Sequence, residues 1–213
     1  MKTQISPSIL AADFLNIEKE LNKVKEANIK MLHFDIMDGH FVPNISFGAD
    51  FVKALRKAVE IEFDVHLMIT EPDKYIENFA EAGADIITFH KEVTDSPLRI
   101  INQIKFFDKK AGISLNPVTK IETIEEILGI IDLVLIMSVE PGFYGQKFIP
   151  FTIKKIEKLK QLIIKNNYKT LIEVDGGINE TNIKDVISAG ADIVVLGAAF
   201  FRNKNYKELV RML

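Results

Sequence analysis

Eight times along this chain a short apolar-rich run gives way to a stretch whose apolar residues recur every three or four positions. The runs fall at 5–9, 31–37, 63–68, 85–90, 111–115, 132–137, 170–174 and 192–196. Some, such as Ile193-Val194-Val195-Leu196, are apolar on both faces, as a parallel strand covered on both sides requires. Between them lie helical patterns: Phe14, Ile17, Leu21 and Val24 after an opening Asp13, and later Ile153, Ile156, Leu159 and Ile163. Ala-Gly-Ala-Asp appears at 82–85 and again at 189–192, each time as a helix stop feeding a strand. Eight such units without a linker predict an α/β fold, a single-domain (β/α)8 TIM barrel over residues 1–213. A doubly wound open sheet is the alternative.

Composition narrows the partners. Lysine plus arginine number 27 against 30 acidic residues, and the net charge of −3 argues against a nucleic-acid or anionic-membrane surface. The lysines between 147 and 165 alternate with apolar residues at helical spacing and read as a solvent face. Without cysteine, disulfide and thiolate chemistry are excluded. The N-terminus lacks an apolar signal core, and no apolar run approaches the roughly 18 residues of a membrane span. A cytoplasmic protein is expected.

In Leu32-His33-Phe34-Asp35-Ile36-Met37, polar and apolar residues alternate, so His33, Asp35 and Met37 share one face of a strand. A His and an Asp on a buried face need partners. The pair is either a metal site or a hydrogen-bonded core pair. In a barrel, chemistry sits where strands end, and the polar residues there are Ser8, His33 with Asp35, His66, His90, Asn116, Ser138 and Asp175. Three of the four histidines fall at such ends; His40 lies in a loop just beyond one.

His33, Asp35, His66 and Asp175, from strands two, three and seven, are placed to meet at the barrel mouth. Two imidazoles and two carboxylates suit one divalent metal ion (Zn, Fe, Mn or Co), and carboxylates that touch a metal also serve as acid and base. Met37, Met68 and Met137 take matching places on strands two, three and six. They are either gap-filling core or an apolar floor under a small ligand. Gly142 and Gly145 in Pro141-Gly-Phe-Tyr-Gly, then Gly176-Gly177 and Gly197, form a second centre. Backbone amides there suit a phosphate.

The segments Ser6-Pro-Ser-Ile-Leu, Met37-Asp-Gly-His-Phe-Val-Pro-Asn, Asp64-Val-His-Leu-Met, Met137-Ser-Val-Glu-Pro-Gly-Phe-Tyr-Gly-Gln and Glu173-Val-Asp-Gly-Gly resemble the ribulose-phosphate 3-epimerases over nearly the whole chain. The resemblance implies an isomerase interconverting D-ribulose 5-phosphate and D-xylulose 5-phosphate in the pentose phosphate pathway. It implies one divalent metal on His33, Asp35, His66 and Asp175, with Asp35 and Asp175 as the acid–base pair. Ser8, His66 and the three methionines would meet the substrate. Gly142, Phe143, Tyr144, Gly145, Gly176, Gly177, Gly197 and Ala198 would hold its phosphate. The family usually has Gly where Tyr144 stands and Ser where Ala198 stands.

Rival readings are an epimerase of D-allulose 6-phosphate, a phosphosugar lyase or decarboxylase, and a non-enzymatic sugar-phosphate binder. The lyases typically carry a lysine among the strand-end carboxylates, and none ends a strand here. Expected partners are the phosphosugar and further copies of the chain, with neither nucleic acid nor membrane.

Overall fold

A computed structural model describes residues 3–203 and 205–211. Eight parallel strands make one sheet: β1 (Gln4–Pro7), β2 (Met31–Met37), β3 (Glu62–Met68), β4 (Ile86–His90), β5 (Lys110–Leu115), β6 (Leu133–Met137), β7 (Leu171–Asp175) and β8 (Ile193–Leu196). Each strand from β2 onward pairs with the next, and β8 returns to β1. A parallel bridge between Ser8 and His33 joins β1 to β2 and closes the ring. Around it lie α1 (Ile17–Glu26), α2 (Ala49–Arg56), α3 (Ile76–Glu81), α4 (Pro97–Phe106), α5 (Thr152–Lys165), α6 (Ile183–Ala189), α7 (Ala198–Phe201) and α8 (Tyr206–Arg211). The chain is a TIM barrel, as its periodicity predicts.

Strand alternation divides the molecule into two cores. Leu32, Phe34 and Ile36 of β2 point outward into the apolar core between barrel and helices, to which Val52 of α2 and Ile156 of α5 also belong. Met31, Ile86, Leu133 and Ile193, one from each even-numbered strand, belong to a separate apolar cluster. Side chains from alternate strands form the layers that fill such a barrel. This layer plugs the N-terminal end and leaves the polar residues toward the C-terminal end.

The repeated Ala-Gly-Ala-Asp has a physical reason. Asp85 Oδ2 accepts from the Phe63 amide at 2.8 Å and from Arg56 at 3.0 Å. Asp192 accepts from the Ile172 amide at 2.9 Å and from Lys160 at 2.7 Å. Each aspartate thus satisfies the first free amide of the preceding strand. The glycines beside them, Gly83 and Gly190, have φ +101° and +117°. A Cβ there would stand 2.5 Å from the stem of Arg56 or of Lys160, so glycine makes room for the cation that holds the aspartate.

Two helices differ from the sequence pattern. Between β5 and β6 the chain forms 3₁₀ turns at Ile121–Thr123 and Glu125–Ile130 instead of an α-helix. Buried Ile121, Ile124 and Ile127 recur every three residues, which matches three residues per turn and not 3.6. Asp13 caps only a 3₁₀ turn, accepting from the Leu15 amide, and α1 starts at Ile17. Phe14 and Leu15 are exposed, so the buried stripe begins after them. Of the lysines read as a solvent face, Lys155 turns inward and donates to the carbonyls of Asn116, Pro117 and Thr119 at 2.7–2.8 Å.

Candidate active site

Strand register assembles the site. Asp35 stands opposite His66 across β2 and β3, and His33 opposite Asp64. Both histidines are fully buried. Asp35 Oδ1 lies 3.3 Å from His33 Nε2 and 3.4 Å from His66 Nδ1, while Oδ2 accepts from Ser8 Oγ at 2.5 Å. Asp175 reaches the same point from β7, and one ligand atom from each of His33, Asp35, His66 and Asp175 lies within 4.8 Å of the others. The structure therefore brings together the four residues expected to hold a metal. His33 Nε2 and His66 Nδ1 are buried without a hydrogen-bond partner, and both face the carboxylates. Two unpartnered nitrogens beside two carboxyl groups fit a divalent cation of borderline softness.

Electrostatics agree with that fit. Burial pushes Asp175 up to about 7, and the Asp35 charge adds to it. Burial would raise Asp35 too, but the His33 charge and the two nearby imidazoles outweigh it and hold Asp35 well below the usual carboxylate range. Burial lowers His66 to about 4, keeping its imidazole neutral. A cation would relieve the repulsion between Asp35 and Asp175 and use the neutral His66 nitrogen.

Above this cluster opens a cleft of about 440 Å³. Every expected substrate contact except His66 lines it, from Ser8 and the methionine trio to the glycine turns. His66 lies under the floor beside Asp35. Met37 and Met68 pack together with Val42 against Leu10 and Phe41, so they belong to the core and also line the cleft. At the rim, Arg202 donates to the Tyr144 hydroxyl at 2.7 Å, and its guanidinium lies 4.8 Å from the ring centre. His40 is exposed and bonded to Asp38, away from the cluster.

The glycine turns are fixed by close backbone approach. Gly177 has φ +65°, and a Cβ there would collide with the Phe148 amide nitrogen and stand 2.8 Å from the Gln146 carbonyl. Gly177→Ala is therefore expected to destabilise the protein by about 1–3 kcal/mol, a fall in Tm of roughly 2–12 °C read by thermal denaturation. Ser138 holds the neighbouring turn, donating to the carbonyls of Asp175 and Gly176 at 2.8 and 2.7 Å.

Several residues escaped the reading of strand ends. Asp64 Oδ2 contacts His33 Nδ1 at 2.5 Å, and Glu173 Oε1 lies 3.7 Å from the same nitrogen. Both acids are fully buried. The alternation that revealed Asp35 and Asp175 places Asp64 two residues before His66 and Glu173 two before Asp175, one step deeper on the same faces. His90, already among the strand-end residues, stacks on His66 with ring centres 4.8 Å apart, and its Nδ1 lies 3.2 Å from Glu92, which that reading missed. Ser46 donates to the Asp35 carbonyl at 2.5 Å from a loop, a position with no periodic signal.

Known proteins share this arrangement to different depths. KGPDC from Streptococcus mutans superposes with a TM-score of 0.70 at 13% identity, covering 99% of this chain and 95% of that one. A 3-hexulose-6-phosphate synthase gives 0.68 at 18%, covering 99% and 97%. At such identities these likenesses concern the fold alone. Curated relatives called ribulose-phosphate 3-epimerase are far closer in sequence. That of Methanocaldococcus jannaschii is 47% identical over 99% of this chain and 89% of its own length. That of Bacillus subtilis is 44% identical over 97% and 96%. The model of the ribulose-phosphate 3 epimerase family matches residues 4–201. With the family pattern spanning the barrel that carries the buried His and Asp cluster, the chain belongs to the ribulose-phosphate 3-epimerase family.

Proposed function

We propose that this protein is an isomerase that interconverts D-ribulose 5-phosphate and D-xylulose 5-phosphate by moving the C3 proton from one face of the sugar to the other. One observation carries the reading: two carboxyl groups, Asp35 and Asp175, reach one cleft from different strands while sharing a His33–His66 cluster. The C3 hydrogen neighbours a ketone, so its removal gives an enediolate, and inversion needs a proton returned from the opposite side. Two carboxylates on different walls can serve as base and acid in turn, exchanging roles in the reverse direction. A divalent ion held by His33, Asp35, His66 and Asp175 would supply Lewis-acid stabilisation of the developing oxyanion.

Ser8, bonded to Asp35, fixes the orientation of that carboxylate. Met37, Met68 and Met137 exclude water from the reacting face. The amides of Gly176, Gly177 and Gly197 grip the phosphate, and Arg202 adds charge at the rim, exchanging the Tyr144 hydroxyl for a phosphate oxygen. Arg202→Gln is then expected to raise KM about tenfold or more with little change in kcat, the mark of lost uniform binding in steady-state kinetics.

Among the described residues no lysine lines the cleft, which speaks against a lyase built on a strand-end amine. The family relatives favour the five-carbon substrate over D-allulose 6-phosphate. Self-association belongs to the same reading, since Leu15 is 95% exposed beside the Phe14–Phe47–Phe51 aromatic cluster. So does a cytoplasmic location, and among the described residues no helix is long and apolar enough to cross a membrane.

The test is incubation with D-ribulose 5-phosphate in D2O, followed at C3 by NMR with and without a chelator. Deuterium at C3 together with D-xylulose 5-phosphate, both lost on chelation and restored by a divalent metal, is the expected result. A C3 that stays protonated in the metal-loaded protein overturns the reading.

A further inference from the structure

The chemistry proposed above uses His66 but leaves its neighbours idle. His66 Nε2 lies 2.8 Å from His90 Nε2, and His90 Nδ1 lies 3.2 Å from Glu92 Oε2. His90 is fully buried and covered by the Phe41 ring, with centres 4.5 Å apart. Glu92 is fixed in turn: its Oε1 accepts from the Asn116 amide at 2.8 Å and from the Thr119 hydroxyl. Lys155 of α5 ties down that 116–119 loop through three carbonyls.

Two nitrogens 2.8 Å apart share one hydrogen, so one imidazole donates and the other accepts. A carboxylate only accepts, so Glu92 requires hydrogen on His90 Nδ1. A neutral His90 is then bare at Nε2 and accepts from His66 Nε2–H. His66 Nδ1, pointing at Asp35, is left with its lone pair free. The direction of every bond in the row follows from the anion at its far end. Asp64 likewise holds a hydrogen on His33 Nδ1, so Nε2 is the nitrogen turned toward the metal site.

We propose that Glu92, acting through His90, is a positioning residue that keeps His66 Nδ1 unprotonated and aimed at the metal site. The proposal rests on the metal reading of the His33–Asp35–His66–Asp175 cluster. It carries the influence of that site to the loop after β5 and to α5, beyond the cleft itself. Carboxylate partners of ligating histidines fix the tautomer and raise ligand basicity. Here the carboxylate acts through an intervening ring.

Glu92→Gln supplies a sharp test because the amide is nearly isosteric. Its oxygen stays with the Asn116 amide and Thr119 hydroxyl, so its NH2 faces His90 Nδ1. That reverses the row: His90 carries hydrogen on Nε2 and donates to His66, whose hydrogen moves to Nδ1 and blocks the metal-facing nitrogen. Glu92→Ala imposes no direction. The native side chain is already 21% exposed, so water fills the vacated space.

The metal-free protein is titrated with Co2+ against a chelating dye, and long-range 1H–15N spectra report which His66 nitrogen bears hydrogen. In the parent, hydrogen is expected on Nε2 with Nδ1 bare. Glu92→Gln is expected to weaken Co2+ binding about 10–100-fold and shift hydrogen to Nδ1, with Glu92→Ala losing less. A purely structural role gives the opposite order, because alanine removes more contacts, and metal-free Tm values separate folding from affinity. Parent-like affinity in Glu92→Gln, or hydrogen on Nδ1 in the parent, overturns the relay. Failure of the parent to bind Co2+ overturns the metal reading itself.

Discussion

Asp35→Asn and Asp175→Asn are each expected to lower kcat by about 10³–10⁴-fold, the upper part of what positioned acid–base groups contribute. Asparagine keeps the size of each side chain and a hydrogen-bond acceptor for Ser8, so the fold should survive while the ability to take a proton is lost. The stronger signature is isotopic. The carboxylate that remains in each variant still faces one side of C3, where it can remove a proton and return a deuteron without inversion. In D2O, Asp35→Asn should therefore wash deuterium into one epimer and Asp175→Asn into the other, with metal content measured in both. Equal exchange into both epimers by a single variant would sink the two-base scheme.

Asp64→Leu is expected to be among the most destabilising single substitutions, and Glu173→Gln almost harmless, although both acids are fully buried beside His33. Burial works against a charge on His33, but the Asp64 and Asp35 charges prevail and raise it well above 6.5 in the metal-free protein. Removing Asp64 strands half of a buried ion pair, at about 3–5 kcal/mol, or a Tm lowered by roughly 6–20 °C. A histidine raised on folding stabilises fully below its unfolded value and loses that contribution as pH climbs through the folded one. The penalty in Asp64→Leu should thus be largest below pH 6.5 and shrink above it.

Glu173 behaves in another way. Burial and the Asp64 charge raise it well above 4.5, so it keeps its proton and shares it with Asp64. That also explains why neither Glu173 oxygen nor Asp64 Oδ1 has a conventional donor. An acid raised on folding contributes stability below its unfolded value and loses it as pH rises toward the folded one. Glu173→Gln should match the parent near pH 4.5 and overtake it as pH increases. Thermal melts of the metal-free proteins across pH check both trends, and a pH-independent gap for either variant would refute the assignment.

Much of this site was legible because strands have a period of two. That period placed His33, Asp35 and Met37 on a common face, and the barrel's directionality put the polar ends of β2, β3 and β7 at one mouth. The same rule contained Asp64 and Glu173, one step below the ends. Glu92 was not legible. It follows its strand, in a 3₁₀ turn, and takes its meaning from Asn116 and Thr119, 24 and 27 residues away. Lys155 has the spacing of a surface lysine, and only three converging carbonyls turn it inward. The 3₁₀ segment after β5 is marked only by an apolar spacing of three, close to the 3.6 of an α-helix.

The Ser8–His33 bridge bears on how the molecule breathes. Elsewhere adjoining strands share ladders of at least two register pairs, whereas the first and second strands meet through this one bridge. One partner of that bridge lines the cleft, and the other belongs to the cluster beneath it. A ligand or ion engaging both sides would act as a clasp across the seam, so occupancy is felt as closure of the hoop. In the unclasped state, the first strand is the stave most ready to lift.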